Sequence, residues 1–235
     1  MKIVTHKKQQ NIWDKEHKKP YALLQMDSQD SSSGVVKFFD WLKAKSKMKN
    51  FKAVEFGCGK GRNVIWLAKQ GVEVVGIDFS PVAIKEAKRR AKLTGINKTR
   101  FFVHDATKTW SFKSNSFDFA IDCFATTDIE SIKGREFAVK EILRILKPSG
   151  YLFVYSLSTD DEFHKEMVKI SPAKEKNAFI NPKTGKFEKT FDRKELINLH
   201  KNLKLIVEKR IEKTAVFFGK KYKCKHHWMI FQKKS

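Results

Sequence analysis

The sequence predicts an α/β protein built on a doubly wound, mostly parallel sheet of seven strands, with the last strand antiparallel. Three observations carry this. Short apolar runs alternate with helical periodicity between residues 51 and 157, the pattern of successive βαβ units. A glycine-rich turn joins the first of these runs to a helix, and the next run ends in an acid. Two further β-type runs near the carboxyl end are joined by IEKTAVFFGKKYKCK, which has no helical pattern, so a hairpin is the simplest connection.

The elements follow in order. Residues 1–33 are polar and mixed and read as an arm or lid, with a short helix around Ile12–His17. Val35, Phe38, Phe39 and Leu42 recur at helical spacing within 35–48 and predict an amphipathic helix. AVEF (53–56) is a strand, GCGKGR (57–62) a turn and NVIWLAKQ (63–70) a helix, with Gly71 suited to its end. VEVVGID (72–78) is the next strand. Ser80 and Pro81 then open a helix as N-cap and first residue, with Ile84, Ala87 and Ala91 on its inner face. RFFVHD (100–105) and FDFAID (117–122) are strands, and 135–147 a helix stopped by Pro148 and Gly150. YLFVYSL (151–157) is apolar almost throughout, as a central strand buried on both faces should be. Residues 158–186 read as irregular. A helix at 192–201 and strands at 204–210 and 226–232 complete the chain.

With 235 residues, 41% of them hydrophobic, one sizeable core is expected. No stretch approaches the length of a membrane span, and MKIVTHKKQQ lacks the apolar core of a secretory signal. Cys58, Cys123 and Cys224 form neither a disulfide framework nor a CxxC pattern, so no metal is expected. A cytoplasmic protein fits best. The net charge of +23 suits a nucleic-acid partner through phosphate neutralisation. However, the lysines run through the whole chain and greatly outnumber the arginines that read bases, so a charged, solvated surface is the favoured reading.

The turn Gly57-Cys58-Gly59-Lys60-Gly61-Arg62 discriminates between ligands. A dinucleotide fingerprint would place its third glycine at position 62, which is Arg62. No GK[ST] follows, so it is not a phosphate loop either. The third glycine, Gly61, stands 17 residues before Asp78, an acid placed to accept from ribose hydroxyls.

In these residues the sequence resembles the class I S-adenosylmethionine-dependent methyltransferases of the small stand-alone, Rossmann-like type. EFGCGKGRN resembles their first motif and VVGIDFSPVAI their acidic second-strand motif. HDATK with SFDFAIDCFA, and then EILRILKPSGYLFV, resemble the motifs that follow. The resemblance implies S-adenosyl-L-methionine as cofactor and S-adenosyl-L-homocysteine as product. It implies that Gly57, Gly59 and Gly61 lie against the methionine part, with Glu55 where the family often has aspartate and Cys58 beside the turn. Asp78 would hold the ribose, Phe79 the adenine edge, and Asp105 with Ala106 the adenine amino group. Asp122 and Cys123 would border the sulfonium, and Asp122 is a candidate catalytic base beside His104, Asp128 and His164. Trp13 in the arm would close the pocket with a cation–π face. The division implied is an arm or lid at 1–33 and a methyltransferase domain at 34–235, with 158–190 inserted on the substrate side. A small-molecule acceptor is the first expectation. A nucleic-acid methyltransferase and a non-catalytic cofactor-binding module are the alternatives. No motif of the Asn-Pro-Pro-Tyr kind follows the fourth strand, where IDCFATTD stands.

Overall fold

The structure is a computed structural model that describes residues 5–19, 27–45, 50–96 and 99–235. Two helices come first, α1 (His6–Lys18) and α2 (Ser33–Lys45). Then follow β1 (Lys52–Phe56), α3 (Arg62–Lys69), β2 (Glu73–Asp78), α4 (Pro81–Leu93) and β3 (Thr99–Val103). β4 (Phe117–Cys123), α5 (Ala125–Asp128), α6 (Ile132–Ile145) and β5 (Leu146–Leu157) complete the parallel part. Beyond it lie α7 (Glu162–Ile170), β6 (Ala178–Ile180), β7 (Phe187–Lys189), α8 (Arg193–Leu199), β8 (Lys204–Phe217) and β9 (Lys220–Gln232).

The main sheet has the order β3-β2-β1-β4-β5-β9-β8. β3, β2, β1, β4 and β5 pair in parallel, and β9 runs antiparallel to both of its neighbours. The predicted seven strands and reversed last strand are therefore present. Strand order reverses between β1 and β4, and at such a switch point the loops beyond the strand ends part to leave a crevice.

Alternation along each strand builds a core on both faces. Ala53, Phe119, Phe153 and Trp228 join one cluster with Phe38, Phe39, Val64, Leu67 and Ala87. Val54, Ala120, Leu152 and Met229 join the other with Ile142 and Leu196. The Phe38 and Phe153 rings stack at 4.9 Å, and the Trp228 indole N–H donates to the Gly34 carbonyl at 3.0 Å, which seats α2 against β5 and β9. Ser80 caps α4 by accepting from the Ala83 amide at 3.1 Å, as predicted.

Several boundaries differ from the sequence reading. α1 is longer than the predicted turn of helix at 12–17, and Thr5 caps it. α6 ends at Ile145 and the strand resumes at Leu146, so Pro148 and Gly150 interrupt a strand rather than end a helix. The 158–186 segment, expected to be irregular, holds α7 and β6, and β7 follows it to pair with β6. These pieces are short, and their order comes from contacts with distant residues rather than from local periodicity. The terminal hairpin is twice the predicted length. It turns at Phe218 (φ 51) and Gly219 (φ 83), left-handed positions suited to a tight hairpin turn. β8 lies at the sheet edge, where Lys204, Glu208, Lys209 and Glu212 discourage pairing by a further strand. Among the described residues, no helix is long and apolar enough to cross a membrane.

Candidate active site

A cavity of about 680 Å³ opens at the carboxyl ends of β1, β2, β3 and β4. The loop after β1 forms its floor. Gly57 (φ 63) and Gly59 (φ 53) hold left-handed backbone there. A Cβ on Gly57 would sit 2.5 Å from the Ala125 Cβ, so the glycine lets the β1 and β4 loops meet. Gly57→Ala is expected to cost about 2–4 kcal/mol from left-handed strain and overpacking together, read in denaturant unfolding. An unchanged midpoint would contradict this close approach.

Asp78 organises the floor. Its carboxylate accepts from the Gly59 amide and from the Ser80 amide, each at 2.8 Å. Burial pushes this carboxyl up to about 6 despite both amides. Glu55, 1% exposed, accepts from the Asn63 side-chain amide at 2.6 Å through Oε1, while its Oε2 is buried with no partner among the described residues. Burial pushes Glu55 up to about 8. Asn63 in turn accepts from the Ser32 amide at 2.8 Å, fastening Glu55 to the start of α2. Asp105 accepts from the Thr107 amide (2.8 Å) and hydroxyl (2.7 Å), and its other oxygen lies 3.2 Å from His6.

α1 lies over this floor. Gln10 donates to the Phe79 carbonyl at 2.6 Å, the Ser80 hydroxyl donates to Asp14, and the His6 ring meets Phe79 at 5.4 Å. On its other side Gln9 donates to the Gly185 carbonyl (3.0 Å) and accepts from the Phe187 amide (2.9 Å). Helix α1 thus bridges the loop after β2 and the segment from Gly185 to Phe187. Trp13 and His17 line the cavity. The Trp13 ring carries the Lys186 ammonium 4.6 Å from its centroid. Burial, with help from Lys60 and Lys186, holds His17 down at about 3, neutral at physiological pH.

Of the site residues named from the sequence, Trp13, Glu55, Gly57, Cys58, Gly59, Asp78, Phe79, Asp105, Ala106 and Cys123 line the cavity. Two do not. Gly61 lies off the wall, where a Cβ would meet the Phe101 ring at 2.8 Å and the Ala87 Cβ at 3.1 Å. It is the close-packing glycine of the helix, displaced by one position from the dinucleotide pattern. Asp122 also lies off the wall. Its carboxylate accepts from the Thr126 amide at 3.1 Å and from the Thr126 hydroxyl, capping α5. Both oxygens of Asp122 are so engaged, and the residue stands off the cavity wall. An acid four residues before a threonine at a short helix was the signal available for this. Burial raises the Cys58 thiol well above its usual value and Cys123 to about 12, so neither is a nucleophile.

At the other end the wall is built by Asp128 and Ile129, by Phe163 and His164 of α7, by Asn181 and Glu188, and by residues 213–218 of β8. The sequence reading named Asp128 and His164 but had no means of pairing them with Glu188. Among the described residues, no group of histidine, cysteine and carboxylate side chains could hold a metal ion.

Fold and floor together define a class of α/β protein that grips a nucleoside with a β1 glycine turn and a β2 acid. Comparison with known proteins specifies the family. Residues 53–150 match the family described as "Methyltransferase domain". A SAM-dependent methyltransferase from Methanosarcina mazei superposes with a TM-score of 0.73 at 26% identity, covering 87% of this chain and 99% of that one. The sterol 24-C-methyltransferase ERG6A of Gibberella zeae is 31% identical over 116 residues, 49% of this chain and 30% of the relative. The ubiquinone biosynthesis O-methyltransferase of Pelagibacter ubique is 28% identical over 124 residues, 53% and 49% of the two chains. The chain thus spans about half or less of the length of these two curated relatives. Residues 53–150 thus match a methyltransferase domain, in a chain similar to S-adenosylmethionine-dependent methyltransferases, whose cofactor is S-adenosylmethionine.

The residues present fit that group. Glu55 offers a buried, unpartnered carboxylate oxygen to a cation, and Asp78 retains lone pairs for ribose hydroxyls after taking its two amides. Gly59 presents bare backbone with only the His17 ring, at 3.4 Å, near its Cβ position.

Proposed function

We propose that the protein transfers a methyl group from S-adenosylmethionine to a small-molecule acceptor held beneath residues 158–190. One observation carries this reading: the cofactor floor and the insertion share a single cavity, of a volume usual for small-molecule sites. The bound cofactor supplies an activated methyl on sulfur. The protein's part is to align donor and acceptor and exclude water.

The cavity's charge supports a small acceptor over nucleic acid. Glu55, Asp78, Asp105, Asp128, Glu130 and Glu188 line it against Lys60, Arg62 and Lys213. Burial raises Glu55 to about 8 and Asp128 well above its usual value, so the lining is acid-rich but only partly ionised, which suits neutral or cationic ligands better than phosphate. Lys60 is itself paired with Asp27. The 1–33 arm and the 158–190 insertion serve as the cover.

Incubation with methyl-labelled cofactor tests this against a protein-free metabolite extract and against total RNA. Label is expected in low-molecular-weight product and not in RNA. Label in RNA alone would establish the alternative.

A further inference from the structure

Resting on that reading, we propose that His164, oriented by Asp161, is the general base for the acceptor, and that the acceptor atom is therefore an O–H or N–H group. Asp161 is 0% exposed and is tied down on every side. It accepts from the His164 amide at 3.0 Å, from the Lys225 amide at 2.8 Å and from the His164 ring Nδ1 at 2.6 Å. Burial would raise this carboxyl, but the His164 ring and the two amides outweigh it and hold Asp161 at about 2. Asp161 is therefore an anion, able only to accept, so the neutral form of the His164 ring carries its proton on Nδ1. In that form Nε2 keeps its lone pair.

The ring lines the same cavity as Glu55 and Asp78. Glu188 Oε2 stands 3.8 Å from Nε2, placed to favour the imidazolium that proton uptake creates. Phe163 and Phe179 flank the ring at 5.2 and 5.8 Å, fixing its plane. An anion that orients an imidazole, in a residue that lines a ligand cavity, is the arrangement of a base. A capping role alone would need only the Asp161–amide bond.

The step balances without any further reactant. A lone pair on the acceptor oxygen or nitrogen forms the bond to the methyl carbon. The carbon–sulfur bond breaks with its pair left on sulfur, and the acceptor proton passes to Nε2 and then to water.

His164→Asn and Asp161→Asn test this, since asparagine at 164 retains an N–H for Asp161 and keeps the helix cap. With labelled cofactor and the metabolite extract at pH 7, wild-type product is expected to be an O- or N-methyl compound by mass spectrometry. His164→Asn should label it about a hundredfold more slowly, with S-adenosylhomocysteine affinity within twofold by calorimetry. The residual rate should climb with pH as the acceptor ionises unaided. The groups facing the ring are Asp161, Glu188 of β7 and His226 of β9, which burial holds at about 3 with Lys213 adding to the effect. Long-range ¹H–¹⁵N spectra of the unliganded protein should show the Nδ1–H tautomer for His164, lost in Asp161→Asn. A rate loss below tenfold, a thioether or C-methyl product, or the Nε2–H tautomer overturns the proposal. Cofactor binding with no labelled product from wild type overturns the methyltransferase reading instead, and this proposal with it.

Discussion

Asp78→Ala should weaken S-adenosylhomocysteine binding about a hundredfold, measured by calorimetry, and should also lower the unfolding midpoint. The two losses share one cause. The Asp78 carboxylate holds the Gly59 amide and the Ser80 amide while lining the cavity. Removing it takes away charged hydrogen bonds to the ligand, each worth about 1.5–3 kcal/mol, and a hundredfold change is about 2.7 kcal/mol. It also strands two amide donors, and a buried unsatisfied group costs about 1–3 kcal/mol. Asp78→Asn keeps the volume but turns either an amide group or a single oxygen toward donors that need two acceptors, so it should fall between. Affinity within threefold of wild type would remove Asp78 from the site.

Glu55→Gln should act in opposite directions on the free protein and on the complex. Burial raises the Glu55 carboxyl to about 8, against an unfolded value of 4.5. A carboxyl raised on folding contributes stability that is complete below its unfolded value and lost as pH rises through its folded value. Asp78 and Asp122, both raised to about 6 from 3.8, behave alike. The free protein should therefore lose stability between about pH 4.5 and 8, and Glu55→Gln should recover on the order of a few kcal/mol at pH 8.5. A cation beside Glu55 reverses the balance by drawing the carboxyl into its charged form. Wild type should release close to one proton on binding S-adenosylhomocysteine at pH 7, seen as a dependence of the calorimetric heat on buffer ionisation. Glu55→Gln should bind more weakly and release less. Absence of proton release in wild type would show that the cation lies elsewhere.

The parallel half was legible because its physics is local. β1 and β5 are buried on both faces, so they read as continuous apolar runs, and the glycines and Ser80–Pro81 mark their turns by backbone requirement. Gly61 and Asp122 stand off the cavity wall, because a motif position does not say which way a residue faces. Gly61 turned out to serve Phe101 and Ala87, and Asp122 to serve Thr126. The insertion was opaque for a different reason. The β6–β7 pair has three residues per strand, and Phe187 of β7 donates to Gln9, 178 residues away. His164 and Glu188 are brought together from α7 and β7 by tertiary packing, which no spacing rule reports.

Helix α1 is fastened on one side to Phe79, Ser80 and Asp105 and on the other to Gly185 and Phe187. Thermodynamic linkage follows. A cofactor that steadies α1 also steadies the hairpin carrying Glu188, so part of the ordering cost of the acceptor's half is already met when the cofactor is bound. The acceptor must then tighten the cofactor by the same factor, because the coupling free energy belongs to the pair and not to either ligand. The two halves of the cavity are therefore expected to fill cooperatively through a single helix.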